Sequence, residues 1–116
     1  MTAYRLTQIV ARRMIKQGED KEEGAVGSII NLSSITAHQT RPELLAYSIA
    51  SAGLEQMTRG LSLTLAPHRI RVNALAFVSV MSASLQASIK DNPDWRRESE
   101  SRTPLHRIAS PNELVD

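Results

Sequence analysis

The apolar positions of this chain alternate between helical and strand-like spacing, and this alternation predicts an α/β protein. Over residues 3–17 they recur at steps of three and four, the period of an amphipathic helix. The same spacing predicts a longer helix over residues 45–66, which Pro67 ends. Nearly continuous apolar runs predict two strands, at residues 28–33 and 70–76, with both faces covered.

Each of the two long helices is predicted to bury one apolar stripe. The first stripe consists of Leu6, Ile9, Val10 and Met14. The second stripe consists of Tyr47, Ala50, Leu54, Met57, Leu61 and Leu65. Shorter helices are expected over residues 84–90 and 94–101. A further helix is predicted to begin at Pro111, because Ser110 and Glu113 have the types and spacing of a capping box.

The order helix, strand, helix, strand predicts a parallel sheet with helical crossovers. Two strands alone neither cover both faces of such a sheet nor protect its edges. The helix predicted at Pro111 also has little more than one turn before the chain stops, so this end is interpreted as cut. We therefore interpret residues 1–116 as a single partial domain of a doubly wound fold.

Composition and charge exclude several classes of function. The net charge of the 116 residues is +2 and the basic residues are scattered, so no nucleic-acid surface is expected. The chain has no cysteine, which excludes disulfides and thiolate zinc sites, and its three histidines lack metal-ligand spacing. No apolar run approaches the roughly 20 residues that span a bilayer. We expect no metal site, no membrane contact and a cytoplasmic location.

Candidate chemistry lies where the first predicted strand ends. Ser33 and Ser34 occupy its carboxyl end, where open parallel sheets place their ligand crevice. Tyr47 falls in the first turn of the next helix, whose amino end favours a phenolate. A serine hydroxyl beside a tyrosine phenol forms a proton-transfer pair suited to carbonyl chemistry. The residue types alone also fit a strand-to-loop turn at Ser33-Ser34 and a core position for Tyr47.

Four segments, in this order, carry a resemblance to a known family. They are Gly27-Ser-Ile-Ile-Asn-Leu-Ser-Ser34, Tyr47-Ser-Ile-Ala-Ser-Ala-Gly-Leu54, Ile70-Arg-Val-Asn-Ala74 and Thr103-Pro-Leu-His-Arg-Ile-Ala-Ser-Pro-Asn-Glu113. Together they resemble the second half of a short-chain dehydrogenase/reductase, including that family's spacing between catalytic serine and catalytic tyrosine. The resemblance implies a partial Rossmann-like, doubly wound parallel sheet that lacks the N-terminal dinucleotide-binding half and the last strand.

The resemblance also implies an activity and a set of site residues. It implies hydride transfer between NAD or NADP and a small-molecule alcohol or carbonyl compound. Ser34 would bind the substrate oxygen, Tyr47 would donate or accept its proton, and Val80 and Ser82 would bind the nicotinamide carboxamide. In the family, the helices equivalent to residues 3–17 and 45–66 pack across a dimer interface, which implies a homo-oligomer.

Several positions depart from the family pattern. Ser51 stands where the family has the lysine that holds the cofactor ribose and lowers the pKa of the catalytic tyrosine. Phe77-Val78 replaces a Pro-Gly pair, and the segment Gly24–Gly27 precedes a strand, unlike a phosphate-binding turn. Two hypotheses follow: an NAD(P)-dependent oxidoreductase with impaired turnover, or a non-catalytic truncated remnant that serves as a dimerisation or interaction module.

Overall fold

A computed structural model describes residues 2–115 and contains the helices and strands predicted between residues 3 and 101, each within one residue of its expected ends. In chain order they are α1 (Thr2–Gln17), β1 (Gly27–Ser34), α2 (Leu45–Leu65), β2 (Ile70–Phe77), α3 (Ala83–Asp91) and α4 (Pro93–Arg102). Short 3₁₀ turns cover Ile35–Ala37, Pro42–Leu44, Ala66–His68 and Pro111–Leu114. Two of these turns lie between β1 and α2.

The chain divides into two compact units, one that ends at Ala76 and one that starts at Phe77. In the first unit, β1 and β2 are neighbours in a parallel sheet, and α2 connects them. Helices α1 and α2 share one apolar cluster with the sheet. Its buried members are Ala11, Leu61, Leu65, Ile70 and Val72. This arrangement confirms the predicted α/β class and the partial Rossmann-like sheet.

Two glycines let the end of α1 approach the start of β1. A Cβ atom at Gly18 would overlap the side chain of Val26, and one at Gly27 would overlap Met14. The backbone N–H of Val26 donates to the carbonyl of Arg69 at 2.8 Å and so begins the pairing of the two strands. Arg69 itself has a φ of 59°, a left-handed conformation that few non-glycine residues adopt. The close contact at both glycines therefore sets where α1 joins the sheet.

One face of the sheet is covered and the other is open, which corrects the prediction that both strand faces are buried. Alternate residues of β1, including Ile29 and Ser33, face α2. Ile30 and Leu32 face the opposite side, and Leu32 is 65% exposed. The prediction was wrong because α1 and α2, which contribute to one apolar cluster, both pack on the same face of the sheet.

The predicted helix stripes were partly wrong. Helix α1 buries Thr7 and Ala11, whereas Leu6 and Ile9 are exposed. Small residues allow α1 to lie close to its neighbours, which leaves its long apolar side chains outside. On α2 the predicted stripe is buried only at its end. The buried residues of α2 are Ser48, Ser51, Glu55, Thr58, Leu61 and Leu65.

The second unit contains α3 and α4, which pack against each other. Val80 pairs in parallel with Ala109, and the Ser82 hydroxyl accepts a hydrogen bond from the backbone N–H of Leu85 at 3.2 Å, capping α3. The predicted capping box of Ser110 and Glu113 is confirmed, although it starts a short 3₁₀ turn in place of a longer helix. Bonds from the Arg107 side chain and the Ser110 N–H lower the pKa of Glu113 to about 2.

Candidate active site

Ser34 ends β1 and caps the turn that follows. Its hydroxyl oxygen accepts from the backbone N–H of Thr36 at 3.3 Å and from the Thr36 hydroxyl at 3.0 Å. A serine hydroxyl has two acceptor positions and one hydrogen to donate. Both acceptor positions are therefore occupied within the turn, and neither contact uses the Ser34 hydrogen. This arrangement suits a group that donates to the oxygen of a bound molecule.

Tyr47 lies in the first turn of α2, directly after the 3₁₀ turn Pro42–Leu44. Its side chain is 55% exposed, so the interpretation of Tyr47 as a core residue was wrong. Helix α2 packs against β1 and against the turn Ile35–Ala37, which begins directly after Ser34. The two residues of the predicted proton-transfer pair therefore stand on elements that are in contact, with the phenol accessible to solvent.

Ser51, at the position of the family lysine, is buried on the face of α2 that packs against β1. Its backbone carbonyl accepts a hydrogen bond from the Ser33 hydroxyl at 3.4 Å. The nearby arginines do not supply the missing cation at this position. Arg41 pairs with Glu43 at 2.7 Å, and Arg59 lies 3.5 Å from a carboxylate oxygen of Glu55. The charge of each guanidinium is therefore matched by a carboxylate elsewhere.

Glu55 connects the strand end, the following loop and the helix, and the sequence analysis missed it. One carboxylate oxygen accepts from the Ser33 hydroxyl at 2.9 Å, and the other lies 2.9 Å from Nε2 of His38. Ser33 and Glu55 are both buried, whereas the His38 ring is mostly exposed. A signal for this cluster was present, because Ser48, Ser51 and Glu55 recur at helical spacing. The apolar stripe predicted for α2 does not include these three residues, so the polar cluster was not predicted.

The buried polar layer continues along α2. The Asn31 amide donates to the Thr58 hydroxyl at 3.0 Å, which in turn donates to the carbonyl of Leu54 at 2.8 Å. Ser48 is 4% exposed, and its hydroxyl has no hydrogen-bond partner in the structure. A buried hydroxyl without a partner is uncommon in folded proteins. The first half of α2 therefore presents a polar face to β1, and one of its groups is unsatisfied.

The predicted cofactor-binding residues, Val80 and Ser82, belong to the second unit. Val80 is half-buried in its pairing with Ala109, and Ser82 is exposed while its hydroxyl caps α3. The backbone N–H of Ser82 donates to the carbonyl of Val80 at 2.7 Å, and the backbone N–H of Met81 donates to the carbonyl of Ala109 at 2.8 Å. The family's grip on the rest of a dinucleotide is not matched, because Gly24 lies before β1, Gly27 is the first residue of β1, and Ser51 carries no charge.

Two concave surfaces of the first unit are lined by residues other than the predicted pair, and the smaller one includes His38 and Glu55. One has a volume of about 540 Å³ and the other about 380 Å³, and neither includes Ser34 or Tyr47. Among residues 2–115, no three His, Asp or Glu side chains are grouped as a metal site would require. None of the described helices combines the length and the apolar character needed to cross a membrane.

Comparison with known proteins identifies the family. The family model described as "Enoyl-(Acyl carrier protein) reductase" matches residues 2–116. Carbonyl reductase [NADPH] 2 of Sus scrofa is 34% identical over 115 residues, which cover 99% of this chain and 44% of the relative. The chain belongs to the short-chain dehydrogenase/reductase family.

Solved structures agree with this assignment. Acetoin dehydrogenase from Salmonella typhimurium is 32% identical with a TM-score of 0.73, over 97% of this chain and 39% of that one. An NADPH-bound short-chain oxidoreductase of Pseudomonas aeruginosa, described as having an atypical catalytic centre, is 28% identical with a TM-score of 0.65. That match covers 74% of this chain and 35% of the other. The chain thus spans less than half the length of these relatives.

Proposed function

We propose that this chain forms the proton-transfer part of an NAD(P)-dependent oxidoreductase that interconverts a small alcohol and a carbonyl compound. The observation that carries the proposal is the placement of Ser34 and Tyr47 on β1 and α2, two elements in contact. Family membership supports the reaction class, and the NADPH-bound relative supports the cofactor class. We also propose a cytoplasmic location for the protein.

The chain's own residues would act on the substrate oxygen. In the direction of reduction, the Ser34 hydroxyl donates a hydrogen bond to the carbonyl oxygen, and the Tyr47 phenol gives its proton to the developing alkoxide. A bound nicotinamide supplies the hydride. Val80 and Ser82 would hold its carboxamide end. Because Ser51 is neutral, nothing at that position stabilises a phenolate or holds the cofactor ribose, so turnover is expected to be slow.

The experiment is a titration of the purified chain with NADH and NADPH, followed by reduction of a panel of small ketones. Tyr47→Phe should lower kcat by about 100-fold to 10,000-fold, the usual range for loss of a general acid. Tyr4→Phe changes the chain's other tyrosine, on α1, and serves as the matched control. Absence of turnover, or turnover that survives Tyr47→Phe, would contradict the proposal.

A second variant tests the role of position 51. Ser51→Lys should raise kcat about tenfold or more, since each 1.4 kcal/mol of transition-state stabilisation is a factor of ten. Ser51→Ala removes the hydroxyl without adding charge and should leave kcat nearly unchanged. Equal rates in the lysine and alanine variants would show that position 51 does not act on the tyrosine or the cofactor.

The second candidate function is a dimerisation module built on α1 and α2. The observation that favours it is the exposure of long apolar side chains on both helices, among them Leu6, Ile9, Ile49 and Leu63. Large apolar side chains exposed on neighbouring helices are candidates for an interaction site. Sedimentation equilibrium should then show a dimer that Leu6→Gln with Ile9→Gln weakens at least tenfold, whereas Arg12→Gln on the same helix leaves it intact. A monomer at all concentrations would reject this candidate.

A further inference from the structure

A buried carboxylate of α2 is bonded to both ends of the segment that contains Ser34. Ser33 precedes Ser34, and its hydroxyl donates to one oxygen of Glu55 at 2.9 Å. On the other side of Ser34, Nε2 of His38 lies 2.9 Å from the second oxygen of the same carboxylate. We call residues 33–38 together with the Glu55 carboxylate the serine clamp. Its two ends meet at a single side chain.

The segment between these two ends is closed by its own hydrogen bonds. The Thr36 N–H and the Thr36 hydroxyl both donate to the Ser34 hydroxyl oxygen, at 3.3 and 3.0 Å. The backbone N–H groups of His38 and Gln39 both donate to the carbonyl of Ile35, at 2.9 and 3.0 Å. Ser34 and Thr36 are both buried. The orientation of the Ser34 hydroxyl therefore depends on a compact turn whose ends are bonded to α2.

The charge of the Glu55 carboxylate makes these bonds stronger than a neutral side chain would. Glu55 is buried, and a hydrogen bond to an ionised acceptor is roughly twice as strong as one between neutral groups. Arg59 lies 3.5 Å from the same carboxylate, but both residues belong to α2, so this contact adds no bond to the turn. Only the contacts to Ser33 and His38 connect α2 with the serine clamp through Glu55.

Glu55 is too far from Tyr47 to act on the substrate oxygen itself. The two residues are eight positions apart on α2, which is about 12 Å along the helix axis. We propose that Glu55 is a positioning residue: by binding Ser33 and His38 it keeps the Ser34 hydroxyl directed to the substrate oxygen. This role rests on the function proposed above for Ser34 and Tyr47.

A second polar contact between β1 and α2 distinguishes a positioning role from a contribution to stability alone. The Asn31 amide of β1 donates to the Thr58 hydroxyl of α2 at 3.0 Å. This bond also joins the strand to the helix, but it includes no residue of the segment 33–38. Thr58→Val removes the hydroxyl, nearly keeps the size of the side chain, and is the matched control for Glu55→Ala. If Glu55 only stabilises the fold, the two variants will behave alike.

Hydrogen exchange of the Thr36 amide tests the serine clamp without cofactor or substrate, because this amide bonds to the Ser34 oxygen. NMR of the purified, isotope-labelled chain compares its exchange rate with that of the Leu61 amide further along α2. Glu55→Ala should raise the ratio of the two rates about tenfold or more, whereas Thr58→Val should change it by less than about twofold. Glu55→Gln keeps an acceptor oxygen and should restore most of the protection. Equal ratios in Glu55→Ala and Thr58→Val would overturn the proposal.

A milder variant decides the question if circular dichroism shows that Glu55→Ala does not fold. His38→Ala releases one end of the serine clamp, and the fold should tolerate it because the ring is mostly exposed. The ratio of the Thr36 and Leu61 exchange rates should then rise about threefold. Arg59→Gln removes a neighbour of the same carboxylate without touching the turn and should leave the ratio unchanged. No difference between these two variants would contradict a role for Glu55 in holding the turn.

Turnover separates the positioning role from the proposed function. In ketone reduction, Glu55→Ala should lower kcat about tenfold or more with little change in the KM for NADPH, and Thr58→Val should change kcat by less than about twofold. Wild-type turnover that Glu55→Ala leaves unchanged would reject the positioning role and keep the proposed function. Absence of wild-type turnover, together with the faster Thr36 exchange in Glu55→Ala, would reject the proposed function and support the hold of Glu55 on Ser34.

Discussion

The two halves of α2 lie against the same sheet and bury opposite kinds of side chain. In the first half, the buried residues are Ser48, Ser51 and Glu55, and Thr58 continues this polar row just past the middle of the helix. In the second half they are Leu61 and Leu65, which join the apolar cluster of the first unit. One helix thus changes from a polar to an apolar contact surface within about three turns.

The change from polar to apolar buried residues along α2 matches the direction in which β1 runs. Its carboxyl end, with Ser33 and Ser34, meets the polar half of α2, and this is the end at which parallel sheets bind ligands. A net hydrogen bond contributes about 1 kcal/mol, whereas a fully buried leucine contributes roughly 1.5–3 kcal/mol. Each buried leucine of the second half therefore contributes more to stability than a single hydrogen bond of the first half does, and the first half packs against the strand end that carries Ser34.

The largest effect is expected in the apolar half. Leu61→Ala should lower the free energy of unfolding by about 2–4 kcal/mol, because it removes buried methyl groups and leaves a cavity. Leu63→Ala, two residues further on the same helix, should change it by less than about 0.5 kcal/mol, since Leu63 is 78% exposed. Urea unfolding followed by circular dichroism measures both. Similar losses in the two variants would show that α2 does not pack as described.

In the polar half, the largest effect is expected at Glu55. Glu55→Ala should lower the free energy of unfolding by about 1–3 kcal/mol, because the buried Ser33 hydroxyl loses its nearer acceptor and keeps only the Ser51 carbonyl at 3.4 Å. Glu55→Gln keeps an acceptor oxygen and should lose less. Glu22→Ala, in the exposed loop before β1, is the matched control and should have little effect. Equal stability of Glu55→Ala and the control would show that the Ser33–Glu55 bond contributes nothing to the fold.

The order and the ends of the regular elements were predictable from the sequence. Proline after α2 and the capping serine before Pro111 define local geometry, and local geometry depends on nearby residues. The positions of Ser34 at a strand end and Tyr47 in the next helix's first turn were also predictable, because their spacing matches a family. These features depend little on what packs against them.

Which side chains of each helix and strand are buried could not be predicted in the same way. The apolar pattern of α1 assigned Leu6 to the core, yet the small side chains of Thr7 and Ala11 are buried. On α2, the buried residues Glu55 and Thr58 are hydrogen-bonded to Ser33 and Asn31 of β1. The sequence pattern within the helix carries no information about these partners on the strand. Likewise, the open face of β1 depends on which elements cover the sheet. Tertiary partners, and not local periodicity, decide these cases.

The smallest expected effect is the difference in stability between removing the Ser48 hydroxyl and removing the Ser33 hydroxyl. Ser48→Ala removes a buried hydroxyl that has no partner and should leave the free energy of unfolding unchanged or raise it by up to about 1 kcal/mol. Ser33→Ala removes a hydroxyl bonded to Glu55 and should lower it by about 1 kcal/mol or more. The substitution is chemically the same in both, so the difference reports only hydrogen-bond satisfaction. A loss at Ser48 as large as that at Ser33 would mean that the Ser48 hydroxyl is bound, for example by a buried water, and the polar layer would then be fully satisfied.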